Sequence, residues 1–155
     1  MPKFAATRRV DLTVNQAFAI AADVASYKDF LPLLKRSTIR GERKRVGEIE
    51  TFDADLLVAF EKLGLRETFT SQVTTDASQY SVTALSSDGP MKALKAVWNI
   101  RSVEDGKTDV TITVDYTMKN MMLQMMAGGL TDFAAQKIMQ AFEDRGRVLY
   151  GKALS

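Results

Sequence analysis

Between residues 48 and 60 apolar and polar side chains take turns along the chain. Phe52, Ala54, Leu56, Val58 and Phe60 share one parity, and Asp53, Asp55 and Leu57 the other. A period of two places alternate side chains on opposite faces, the mark of a half-buried strand. Val110, Ile112, Val114, Tyr116 and Met118 keep the same rhythm against Thr111, Thr113, Asp115 and Thr117. Residues 5–13 read as a first strand that ends near Asp11. Residues 37–43 and 65–75, the set Tyr80, Val82 and Ala84, and residues 95–103 read as four more. Breaks fall at 44–47, at Gly64, at 86–90 and at Asp105-Gly106, the last a strong hairpin signal.

Two segments follow a longer period. After Thr13 or Asn15, either of which can cap a helix, Phe18, Ile20 and Ala21 predict a short helix. A second short helix over 23–32 is stopped by Pro32. From Asn120 to Gly151 apolar residues recur at three and four, through Met122, Met126, Leu130, Ala134, Ile138, Phe142 and Leu149. This predicts one long helix, with a weak point at Gly128-Gly129. The predicted order is strand, two short helices, six antiparallel strands, long helix. An α+β helix-grip satisfies it: a curved antiparallel sheet of about seven strands wrapped around the C-terminal helix, in one domain over 1–155.

Composition removes most reaction chemistry. The 155 residues contain no Cys and no His. Disulfides, imidazole or thiolate metal sites, and Ser-His or Cys-His nucleophile systems are therefore not expected, and neither a metal nor a cofactor is predicted. A net charge of +2 does not by itself point to nucleic acid. No apolar run resembles a signal peptide or reaches the ~20 residues of a membrane span, so a cytoplasmic protein is expected.

Four groups could carry function. Met118, Met121, Met122, Met125 and Met126 are five of the chain's eight methionines. Four of them make a broad helical stripe, either core filler or an adaptable apolar surface at a pocket mouth or membrane. Phe52, Leu56, Val58, Phe69 and Trp98 form either the sheet's inner core or the wall of an apolar pocket. Asp53 and Asp55, with Arg66 and Glu67 on the next strand, could form a polar cluster, either outer-face ion pairs or an acid–base pair. Lys35, Arg36, Arg40, Arg43, Lys44 and Arg45 crowd one hairpin. They are either a solvated edge or a contact for anionic headgroups or RNA phosphate.

Five segments together resemble the coenzyme-Q-binding START-domain proteins of the polyketide cyclase and lipid-transport superfamily. Some bacterial members of that superfamily are called ribosome-association toxins of the RatA type. The segments are Asp23-Val24-x-x-Tyr27-x-x-Phe30-Leu31-Pro32, residues 54–60, Glu67-Thr68-Phe69-Thr70-Ser71, Asp88-Gly89-Pro90-Met91 followed by Trp98, and Ala141-Phe142-Glu143-x-Arg145 with Tyr150-Gly151. Leu33-Leu34, Met91 and Ala93 depart from the residues common in relatives.

The resemblance implies a non-enzymatic carrier or chaperone that holds ubiquinone or another polyprenyl lipid in a hydrophobic tunnel and supports respiratory electron transport. The implied lining is Phe30, Leu31, Phe52, Leu56, Val58, Phe69, Trp98, Met122, Met126, Leu130 and Phe133. Met121 and Met125, with Arg40, Arg43, Lys44 and Arg45, would touch the bacterial inner-membrane surface or the large ribosomal subunit. Ribosome binding is the alternative function. A polyketide cyclase or aromatase ranks third, because no convergent set of ionisable residues falls on the apolar faces.

Overall fold

The computed structural model describes residues 3–60, 64–128 and 131–151. Within them it describes every side chain except those of Phe60, Leu65, Leu123 and residues 126–128 and 131–133. Strand β1 (Lys3–Val10) leads to helix α1 (Val14–Ala22) and a 3₁₀ turn (Val24–Asp29). Strands β2 (Leu34–Val46), β3 (Ile49–Phe60), β4 (Leu65–Asp76), β5 (Ser81–Ser86), β6 (Met91–Glu104) and β7 (Lys107–Met118) follow. Helices α2 (Met121–Gly128) and α3 (Thr131–Tyr150) end the chain.

Thr13 starts α1 with reciprocal bonds. Its Oγ1 accepts from the Gln16 amide at 3.1 Å, while Gln16 Oε1 accepts from the Thr13 amide at 3.0 Å. Two backbone donors at the helix start are satisfied at once. The single long helix expected over 120–151 is described as two helices, α2 ending at Gly128 within the predicted weak point.

The seven strands form one antiparallel sheet in the order β1-β7-β6-β5-β4-β3-β2. Each strand pairs with its sequence neighbour except β1, which returns to β7. The period-two residues therefore line up in rows across the inner face. One row runs Phe52, Val73, Ala84, Ala96, Val114, Phe4. The next runs Thr75, Val82, Trp98, Ile112, Ala6. Helix α3 crosses this face and fixes one end of it. There Phe142 is 1% exposed and lies 5.2 Å from the Trp98 ring. This is the helix-grip arrangement expected from the patterning.

Candidate ligand-binding cavity

The inner face is not filled throughout. Interiors normally pack to crystal-like density, yet a cavity of about 300 Å³ lies between the sheet and Ile138 of α3. Sequence explains the gap. Ala84 and Ala96 sit side by side at the centre of the sheet, flanked by Val73 and Val114. Methyl groups there leave room that Leu or Phe would occupy. Leu56, Val58 and Phe69 make one wall, and Val24, Tyr27 and Leu31 another.

Among the described residues three polar side chains reach this lining. Trp98 hydrogen-bonds the Tyr27 hydroxyl, which itself donates to the Ala21 carbonyl oxygen. Burial pushes the Tyr27 phenol well above its ordinary 10.0, only partly opposed by the Trp98 bond. The hydroxyl therefore stays neutral. The third group is Ser71. It is 0% exposed, and its Oγ has no hydrogen-bond partner. Tyr27 is the one ionisable side chain among the described lining residues, and no cluster of metal-ligating side chains occurs among the described residues.

One end of the cavity is clipped by the residue 88–90 turn. Asp88 Oδ1 accepts from the Thr70 amide at 2.9 Å and from the Ser86 hydroxyl at 3.0 Å. Gly89 has φ +58°, and a Cβ there would fall 2.3 Å from the Thr68 carbonyl oxygen. Only glycine fits so close an approach. The Pro90 carbonyl accepts from the Lys119 amide at 2.8 Å, and Met91, which lines the cavity, pairs with Met118. Across the rim Leu33 holds a left-handed φ of 71°, and its carbonyl accepts from the Ala59 amide at 2.8 Å. A left-handed leucine is strained.

Helix α2 stands beside this rim. Gln124 Oε1 accepts from the Met118 amide at 2.7 Å and ties it down. Met121, Met122 and Met125 are 79%, 73% and 73% exposed. Around the same end of the sheet Lys35, Arg36, Arg66, Lys92 and Lys119 are exposed. The ion pairs found among the described residues involve none of these five.

The residues implied as lining separate into groups. Leu31, Leu56, Val58, Phe69 and Trp98 line the cavity. Phe52 is buried beside it, with the Arg43 guanidinium 4.5 Å from its ring. Phe30 is half-buried between Tyr27 and the Arg145 guanidinium. Met122 faces solvent rather than the cavity. The side chains of Met126 and Phe133, and Leu130 altogether, lie outside the described residues.

The basic hairpin is split along its length: Lys35 and Arg36 stand at the rim, whereas Arg40, Arg43, Lys44 and Arg45 run away from it. Lys44 pairs with Thr51 and Leu34 with Val58, so its tip lies at the far end of β3. At about 3.3 Å per residue that is roughly 25 Å away. Two of its arginines are already engaged, Arg40 with Asp55 at 2.9 Å and Arg43 with Glu50 at 3.0 Å, while Lys44 and Arg45 are exposed. The cluster of Asp53, Asp55, Arg66 and Glu67 does not assemble. Asp55 faces outward and takes Thr70 and Arg40, whereas Arg66 and Glu67 stand opposite Ala59 and Val58. Those bonds, Thr70 first, hold the Asp55 carboxyl below its ordinary range.

The sequence reading missed Ser71, Ala84, Ala96 and Met91 as cavity residues. The available signal was small residues at inner-parity positions of central strands, where β-branched or aromatic residues usually sit.

Comparison with known proteins agrees with this architecture. The family model described as polyketide cyclase/dehydrase and lipid transport matches residues 10–143. The mitochondrial coenzyme Q-binding protein coq10 of Schizosaccharomyces pombe is 27% identical over 94% of this chain and 87% of its own length. The ribosome association toxin RatA of Vibrio cholerae is 24% identical over 92% of this chain and 94% of its own. The Zhui aromatase/cyclase from Streptomyces superposes with a TM-score of 0.80 at 16% identity, over 95% of both chains. That last likeness is one of fold.

Proposed function

The chain belongs to the polyketide cyclase/dehydrase and lipid transport family, and from that premise we propose that it carries ubiquinone or a closely related polyprenyl lipid. The apolar cavity between sheet and α3 is the observation that carries the reading. Its mechanism is burial rather than bond-making. Each CH₂ taken from water contributes about 0.8 kcal/mol, so a prenyl ligand is held with few polar contacts. Similarity to a coenzyme Q-binding protein supports the choice of ligand. The lining favours a carrier over a cyclase, because Tyr27 has no ionisable neighbour on the described wall with which to share a proton.

Volume limits what enters. At roughly 30 Å³ for each water-sized group, 300 Å³ holds about ten such groups. A ring headgroup or two prenyl units fit, and a long tail must leave past Met91. The exposed methionines of α2 continue the apolar path from that rim. The five cations around it suit the anionic surface of the membrane from which the lipid would be drawn. The protein would act as a peripheral visitor to the membrane, since no helix among the described residues is long and apolar enough to cross one.

The direct test is to purify the protein from its host in mild conditions, extract it with organic solvent and analyse the extract by mass spectrometry. A quinone or polyprenyl lipid in stoichiometric amount is expected. An extract without one, together with no thermal shift on adding short-tailed ubiquinone, defeats the reading. The second reading is ribosome binding. It is favoured by the likeness to RatA and by the unpaired Lys44 and Arg45 at the hairpin tip, beside Val46 at 80% exposure.

A further inference from the structure

We infer that the Ser71 hydroxyl is the polar anchor of the cavity and receives an oxygen acceptor, such as a ring carbonyl, of an otherwise apolar ligand. The inference rests on the carrier reading and adds the ligand's orientation to it. Ser71 lies on inner-parity β4 between Phe69 and Val73, opposite Ala54. The other two polar side chains of the lining satisfy each other through the Trp98, Tyr27 and Ala21 relay. Among the described lining residues Ser71 is fully buried with nothing to bond, and the Tyr116 hydroxyl, opposite Leu94 but outside the lining, is likewise buried without a partner.

An unsatisfied buried hydroxyl is unfavourable, and an alanine of nearly the same shape would avoid it. The protein therefore carries a cost that a bound acceptor removes. Position then sets direction. The row containing Ser86, Leu94 and Tyr116 adjoins Ser71, and Met91 lies three residues nearer the rim than Leu94. Three residues of strand are about 10 Å. The ligand enters oxygen first, with its hydrocarbon trailing past Met91.

The test compares wild type with Ser71→Ala, using two probes. One is short-tailed ubiquinone, followed by quenching of Trp98, the chain's single tryptophan and itself part of the cavity wall. The other is phytane, a branched hydrocarbon without oxygen, followed by thermal shift. Ser71→Ala is expected to raise the melting temperature of the ligand-free protein, to weaken ubiquinone about tenfold, and to leave the phytane shift unchanged. Equal ubiquinone affinity in the two proteins overturns the anchor and leaves the carrier reading standing. A lower ligand-free melting temperature in Ser71→Ala also overturns it, because the hydroxyl would then hold the fold. Failure of wild type to bind ubiquinone at all removes the carrier reading and the anchor with it.

Discussion

Single residues decide how polar the interior is. Tyr27 and Trp98 bring two polar groups into the apolar lining and cancel them against each other and the Ala21 carbonyl. This makes a pH prediction. The folded-state pKa of Tyr27 lies above its unfolded value of 10.0. Its contribution to stability is thus complete below pH 10, and it is lost as pH rises beyond that, because the unfolded chain ionises first. Tyr116, raised in the same direction by burial, adds to the effect. Melting temperature should fall steeply above about pH 10. Tyr27→Phe should be less stable at pH 7, by about 1–3 kcal/mol for the lost bonds, and should lose less than wild type between pH 9 and 11. An equal alkaline loss in both proteins would show that Tyr27 is not the group responsible. Tyr27 and Trp98 stood in segments that carried the family resemblance, but their partnership was invisible in sequence. It depends on the 3₁₀ turn lying against β6, a contact between residues 71 positions apart.

At the scale of elements, periodicity was the most readable signal. The alternation in 48–60 and 110–118 located β3 and β7 and their inner faces, since each residue's face follows from its parity alone. The methionine stripe was readable as a helix face, with core filler and exposed apolar surface both left open, and Met121 and Met125 are exposed as expected while Met122, expected in the lining, is exposed too. Exposure depends on where α2 ends up, and Gln124 tying it to Met118 is a tertiary fact. The basic hairpin was readable as a charge cluster, but its division into Lys35 and Arg36 at the rim and a distant tip at Lys44 and Arg45 was not, because direction along the sheet comes only with register. The two elements should therefore separate in experiment. Changing Met121, Met122 and Met125 to Ser should leave the melting temperature within a few degrees of wild type, because all three are exposed. It should reduce sedimentation with phosphatidylglycerol-containing vesicles several-fold. Changing Lys44 and Arg45 to Glu should leave vesicle binding near wild type and, if the second reading holds, abolish co-sedimentation with large ribosomal subunits. Loss of vesicle binding in the hairpin variant but not in the α2 variant would move the membrane surface to the wrong end of the molecule.

For the whole molecule the question is why a sheet this long should leave space inside. A domain selected only for stability would fill it, because each added buried CH₂ is worth about 0.8 kcal/mol and empty volume forfeits contacts. The fold class was legible from the order of periods, and the absence of Cys and His already leaned toward binding. A pocket was legible only as the alternative to a filled core and as what the resemblance implies; what opens it was not legible, because the gap consists of what Ala84 and Ala96 lack, and an alanine in a strand reads as a weak strand residue rather than as a hole. That reasoning yields a test with two linked signs. Ala96→Leu adds three carbons at the centre of the lining. If the space is kept for a ligand, the substitution should stabilise the ligand-free protein by about 1–2 kcal/mol, which is several degrees in melting temperature for a domain of this size. The same protein should lose the quenching of Trp98 by short-tailed ubiquinone. A destabilised variant would mean that the surrounding side chains are too rigid to accept new volume, as in ordinary overpacked cores. A stabilised variant that still binds ubiquinone would place the ligand elsewhere. Only gain of stability with loss of binding identifies the gap as a site, because it shows stability being given up for function at one position.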